Sequence, residues 1–171
     1  MAELRQNTWS VNAWYEQDYA GNAIYESTVN ELYAWGYNSY GQLGQGNTTK
    51  YSSPVQVGTD TTWDKCSAAG PHAYIKTDGT LWICGDNSDG ECGQNDTTHR
   101  SSPVQVPGTT WSDVMSGSNK IAATKTDGTL WTWGDSEGKG YLGLNQTTIK
   151  ISSPTQIPGT NWTMDNVIGS T

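Results

Sequence analysis

Phenylalanine is absent from this sequence, and charge is scarce. Charged residues make up 15% of the 171 residues, with Lys and Arg numbering 9 against 17 Asp and Glu, a formal charge of −8. A nucleic-acid binder that tracks phosphates needs a basic stripe, and so acidic a chain excludes one. A charge set this sparse also excludes the usual charge-repelled disordered tail. No apolar run approaches the ~20 residues of a membrane-crossing helix, so no membrane partner is expected. The opening segment MAELRQNTWS has no apolar run of the kind a secretory leader carries, and none is expected. Histidines number 2 and cysteines 3. Neither His72 nor His99 has the neighbours of a catalytic triad, and no Cys-x-x-Cys pair suggests zinc. No enzyme, cofactor or metal site is expected.

What the chain does have is nine Trp, nine Tyr and 20 Gly. That many large aromatics can build the core of one domain, provided their polar atoms find partners. Their order along the chain is repetitive. Segments starting at Leu32, Leu81 and Leu130 share the pattern "Leu, aromatic, x, Trp or Cys, Gly" and later "Ser-Ser-Pro". Gly36, Gly85 and Gly134 recur at a fixed spacing of 49 residues, followed by Pro54, Pro103 and Pro154. Trp63, Trp111 and Trp162 follow in turn, and Thr77-Asp78-Gly79 returns as Thr126-Asp127-Gly128. Four markers in constant order define an internal repeat. Asp-Gly between alternating apolar segments is a strong hairpin signal, and no stretch of the repeats shows capped helical periodicity. The expected fold class is all-β, with antiparallel propeller-type blades in about three repeats.

These residues resemble the regulator of chromosome condensation repeat family. The line from Ala69 to Asn87 follows the family's order of Gly, His72, apolar strand, Asp78-Gly79, apolar strand and Gly85-Asp86-Asn87. Gly41-Gln42-Leu43-Gly44 follows its Gly-Gln-Leu-Gly turn. The resemblance covers residues 31–171 and implies four-stranded propeller blades, with His72 hydrogen-bonded within its blade. The chain departs from the pattern at Ile121 in the place of His72, at Cys84 in the place of a Trp, and at Glu91-Cys92 in the place of Gln-Leu.

Residues 31–171 hold about 2.9 repeats, where propellers need ~4–8 blades to close. The segment Ala23-Ile24-Tyr25 stands before Leu32 much as Ile121-Ala122-Ala123 stands before Leu130, so the chain reads as cut in mid-blade. The half-blades are expected to pair between chains, head to tail, in a six-bladed ring of two copies. The alternative is an open array whose sheet edges other proteins cover. Residues 1–22 form an aromatic arm outside the domain of residues 23–171, with a short helix over residues 11–19 capped by Ser10. The arm carries Trp9, Trp14, Tyr15 and Tyr19, the residue types that dominate interface hot spots. It either packs on its own domain or docks in a partner.

The remaining candidates read as structural. Cys66, Cys84 and Cys92 occupy apolar repeat positions, so buried free thiols are expected, with a Cys84–Cys92 disulfide left open. The acidic run from Asp86 to Glu91 lacks the ligand order of a calcium loop and reads as a solvated inter-strand loop. The sequons at Asn47, Asn95 and Asn145 read as turn-forming polar loops. Gly41, Gly44, Gly90, Gly93, Gly140 and Gly143 read as turn glycines.

The functional expectation is a non-enzymatic structural protein of a virion, as capsid decoration or tail component. Its partners would be other virion proteins or copies of itself. The Asn/Thr/Ser/Gly-rich, Lys-poor texture resembles short repeat proteins of bacteriophage particles. The alternative is a receptor- or glycan-binding module, with Tyr37, Tyr40 and Tyr141 as stacking residues in equivalent loops. A nucleotide-exchange role does not follow from the family's fold.

Overall fold

A computed structural model describes residues 30–166. They form ten antiparallel strands. The sequence hairpins become strand pairs as expected. Strands β4 (His72–Lys76) and β5 (Leu81–Gly85) flank Asp78-Gly79, and β8 (Lys120–Lys125) and β9 (Leu130–Asp135) flank Asp127-Gly128. The Asp78 carboxylate accepts from the Thr80 amide and hydroxyl, and the Thr80 hydroxyl in turn accepts from Trp82 Nε1. Asp127, Thr129 and Trp131 repeat this chain of bonds. The Thr80 and Thr129 bonds hold the Asp78 and Asp127 carboxyls below the usual carboxylate range.

Two complete blades and one half-blade result. The half-blade, blade 1, pairs β1 (Tyr33–Gly36) with β2 (Tyr51–Gln56). Blade 2 has the order β3-β4-β5-β6, adding β3 (Trp63–Ala68) and β6 (Arg100–Gln105). Blade 3 has the order β7-β8-β9-β10, adding β7 (Trp111–Ser116) and β10 (Lys150–Ile157). A short 3-10 turn, Met164–Asn166, follows. The arm with Trp9, Trp14, Tyr15 and Tyr19, its helix, and the strand expected around Ala23-Ile24-Tyr25 lie outside the described residues.

The core lies between blades, because each strand alternates its side chains across the sheet. Ala73, Ile75, Leu81, Ile83 and Val106 of blade 2 meet Trp111, Val114, Ile121, Ala123 and Trp133 of blade 3 in one buried cluster. The opposite face of blade 2 offers Trp63, Tyr74 and Cys84 to Leu32 of the chain before blade 1. The blades converge at β3 and β7. There Ser67 Oγ lies 3.1 Å from Ser116 Oγ, and Lys65 pairs with Asp113 at 2.8 Å. Gly70 sits at this convergence, where a Cβ would meet the Ser118 carbonyl oxygen at 2.6 Å. Only glycine lets the two backbones approach so closely.

Two expectations change. Cys84 and Cys92 are buried free thiols, but Cys66 is exposed. Val114 holds the same register in blade 3 and is buried because blade 2 lies against it, whereas among the described residues two outer strands of blade 1 are all that precede Cys66. The loop from Asp86 to Glu91 is also not simply solvated, since Asn87 and Glu91 are fully buried. It presses on the next blade, where a Cβ at Gly90 would stand 2.5 Å from Ser152 Cα.

Candidate interaction surface

Three long loops join the outer two strands of each blade, at residues 37–50, 86–99 and 136–149. Each is built around one buried polar side chain. Asn38 Nδ2 donates to the carbonyls of Asn47 and Thr49, and its Oδ1 accepts from the Leu43 amide. Asn87 Nδ2 donates to the Asp96 and Thr98 carbonyls, and its Oδ1 accepts from the Cys92 amide at 2.7 Å. In the third loop Ser136 takes this place, donating to the Thr147 carbonyl and accepting from Ile149. Asn87 lies within the acidic run from Asp86 to Glu91. Its role was legible in the 49-residue spacing of Asn38, Asn87 and Ser136.

The first two loops each seat on the outer strand of the following blade. The Gly46 amide donates to the Ser101 carbonyl, and the Asn95 amide to the Ser152 carbonyl, both at 2.7 Å. Gly46 and Asn95 adopt left-handed backbone there, with φ of 70° and 59°, and Asn145 of the third loop does so at 56°. Asn tolerates that region better than most side chains. A side chain from the following blade closes each joint. Cys84 Sγ donates to the Gln42 carbonyl at 3.2 Å, and Trp133 Nε1 to the Glu91 carbonyl at 2.6 Å. Burial pushes the Cys84 thiol up to about 12 and raises that of Cys92 as well, so both stay protonated at neutral pH.

Exposure concentrates on blade 1. Tyr33, Trp35, Tyr37 and Tyr40 are the exposed large hydrophobic residues among the described ones. Trp35 is 61% exposed, whereas its repeat equivalents Cys84 and Trp133 are at 0%. Two of the proposed stacking residues are therefore at the surface. Lys50 lies over the Tyr37 ring at 4.9 Å, and Tyr40 tilts on His99 at 5.0 Å. Tyr141 is half-buried on the far loop, with Lys120 over its ring at 4.1 Å. The structure separates it from Tyr37 and Tyr40, which lie on the loop of residues 37–50. His72 is half-buried and edge-on to Tyr74 at 6.4 Å. No hydrogen bond of its ring occurs among the described residues, and burial lowers its pKa.

Other clusters are repeat furniture. Lys76 covers Trp63 and Trp82, and Lys125 covers Trp111 and Trp131 in the same way, each pair a cation over two rings. Among the described residues no group of three or more His, Cys, Asp or Glu could hold a metal ion. No helix among them is long and apolar enough to cross a membrane.

The repeat geometry agrees with sequence comparison. The family model for the regulator of chromosome condensation (RCC1) repeat matches residues 30–74 and 78–123. The chain belongs to the RCC1 repeat family. No curated protein sequence matches it. Among solved structures it is similar to human WBSCR16, with a TM-score of 0.68 and 23% identity over 82% of this chain and 37% of that one. It is similar to Prp20p from Saccharomyces cerevisiae, with a TM-score of 0.65 and 22% identity over 77% of this chain and 35% of that one. A structure of yeast RCC1 (Prp20) with Kap60 bound gives a TM-score of 0.66 and 20% identity over 76% of this chain and 33% of that one. At such identities the likeness is one of fold, and this chain spans about a third of the length of these relatives. The described blades are thus part of a propeller.

Proposed function

We propose that this chain is a non-enzymatic structural protein that acts by binding other proteins within a larger assembly. The observation that carries the reading is the exposed aromatic set of blade 1, Tyr33, Trp35, Tyr37 and Tyr40. Exposed Trp and Tyr are the residue types from which interface hot spots are made. The fold supports the reading by analogy. Prp20p is described with its binding to Gsp1p and histones, and the same protein, yeast RCC1 (Prp20), with Kap60, so this relative has protein partners. The assembly we favour is a virion, with the chain on the capsid surface or tail and its partners other virion proteins or further copies. The polar, Lys-poor and Trp/Tyr-rich composition supports that placement.

The test is chemical cross-linking of purified particles followed by mass spectrometry. Cross-links from blade 1 to a particle protein are expected, and particles lacking the chain would refute the virion placement. The exposure of Tyr37 and Tyr40 favours a second reading, a glycan- or receptor-binding module. A glycan array with the intact chain decides it. Binding lost on Tyr40→Ala supports the second reading, and no binding removes it.

A further inference from the structure

We propose that a second copy of this chain docks head to tail on the far side of blade 3, inserting Trp35 beneath the loop of residues 136–149. The proposal rests on the protein-binding reading above and names the partner. It comes from a joint that the described residues build twice and leave open once.

In each complete joint the loop supplies a glycine, a carbonyl and an amide, and the next blade supplies a side chain and a serine. In the first joint Gly41 lies against Ser101, where a Cβ would stand 2.6 Å from Ser101 Cβ. The Gln42 carbonyl accepts from Cys84, and the Gly46 amide donates to the Ser101 carbonyl. In the second joint Gly90, Glu91 and Asn95 play these parts against Ser152 and Trp133. The third loop carries the same set in Gly140, Tyr141 and Asn145. Gly140 has a φ of 76°, like Gly41 and Gly90 at 81° and 87°, but nothing presses on it within 3.7 Å. The Asn145 amide and the Tyr141 carbonyl have no backbone or side-chain partner across a joint among the described residues.

Blade 1 carries the matching half. Ser52 is the repeat equivalent of Ser101 and Ser152 and is exposed where they are half-buried. Trp35 is the equivalent of Cys84 and Trp133 and is exposed where they are buried. Gly36 has open space where Gly85 meets Gln42. Applying the interior geometry once more brings Trp35 Nε1 of one copy to the Tyr141 carbonyl of the next. It also brings the Ser52 carbonyl to the Asn145 amide. The two surfaces are different, so the contact is heterologous and propagates or closes a ring.

The far face of blade 3 differs in sequence from that of blade 2. Thr124 and Thr132 replace Ile75 and Ile83. Both are buried, and the Thr132 hydroxyl is already bonded to the Leu142 carbonyl at 2.8 Å.

Analytical ultracentrifugation of the intact chain tests this. The wild type self-associates in the micromolar range. Trp35→Ala and Ser52→Arg each weaken association by at least about tenfold, ~1.4 kcal/mol, with unchanged circular dichroism. Gly140→Arg blocks the loop face instead. Mixing it with Trp35→Ala restores a 1:1 dimer, since each variant keeps one intact half. Where Gly140→Arg fails to fold, the two substitutions on blade 1 decide the matter alone. A monomeric wild type overturns the proposal, as does an oligomer that both blade 1 variants leave intact. Binding to another protein that survives in Trp35→Ala, beside a monomeric wild type, refutes this docking and leaves the wider reading standing.

Discussion

Replacing Asn87 is the sharpest single probe of how these blades hold together. Its side chain is completely buried. The amide nitrogen lies 3.0 Å from the Asp96 and Thr98 carbonyls and from Asp96 Oδ1, and Oδ1 accepts from the Cys92 amide. Two N–H groups and one acceptor thus hold together the two ends of a 14-residue loop, residues 86–99. Each such bond contributes about 1 kcal/mol net, so Asn87→Ala costs about 3 kcal/mol before the stranded Cys92 amide is counted. For a domain of this size ~1 kcal/mol shifts Tm by ~2–4 °C, so a fall of ~6–12 °C is expected. Asn87→Asp is nearly isosteric and keeps the acceptor, but it turns a carboxylate toward two carbonyls and the Asp96 side chain. It should therefore be at least as harmful as alanine at pH 7 and milder at pH 4, where the buried acid is protonated. The assay is thermal and urea unfolding followed by Trp fluorescence at fixed protein concentration. A loss under ~1 kcal/mol for alanine, or an aspartate variant milder than alanine at pH 7, would falsify the staple.

Three further outcomes are expected. Gly70→Ala should destabilise by ~1–3 kcal/mol through backbone crowding against blade 3, whereas Gly117→Ala meets only the flexible Lys120 side chain; equal unfolding midpoints for the two would contradict this. Glu91 is buried with Oε1 unpartnered, and burial raises its pKa above the unfolded value. The folded state therefore holds that proton more tightly, so stability falls as pH rises from the unfolded pKa through the folded one. Glu91→Gln should accordingly raise Tm at pH 7 and leave it unchanged at pH 3, and a lower Tm at pH 7 argues against the assignment. Finally, one thiol, Cys66, should react with an aromatic disulfide reagent in the native protein, while Cys84 and Cys92 wait for denaturant; titration of two or three fast thiols would disprove the burial pattern.

The structure was legible in the sequence wherever a residue's role was local. Asp78-Gly79 and Asp127-Gly128 forced hairpins because that dipeptide accepts the backbone the turn requires, and the alternating apolar residues around them set which face was buried. Repetition then extended each local reading across the chain. Cys66 failed for the opposite reason. Its repeat position matched buried Val114, but burial at that position depends on whether a neighbouring blade covers it.

The sequence by itself determined the blade: its 49-residue period, its hairpins, its strand faces and the family to which it belongs. These follow from short-range backbone preferences and from period-two alternation, which a linear chain records directly. Only the tertiary structure decided which of three equivalent positions are covered. Trp35, Cys84 and Trp133 are one position in the sequence. Trp133 and Cys84 are sealed under the loop of a preceding blade, and Trp35 stands at the surface. Burial is a property of neighbours in space, and a repeat copies residues faithfully without copying the neighbours that cover them.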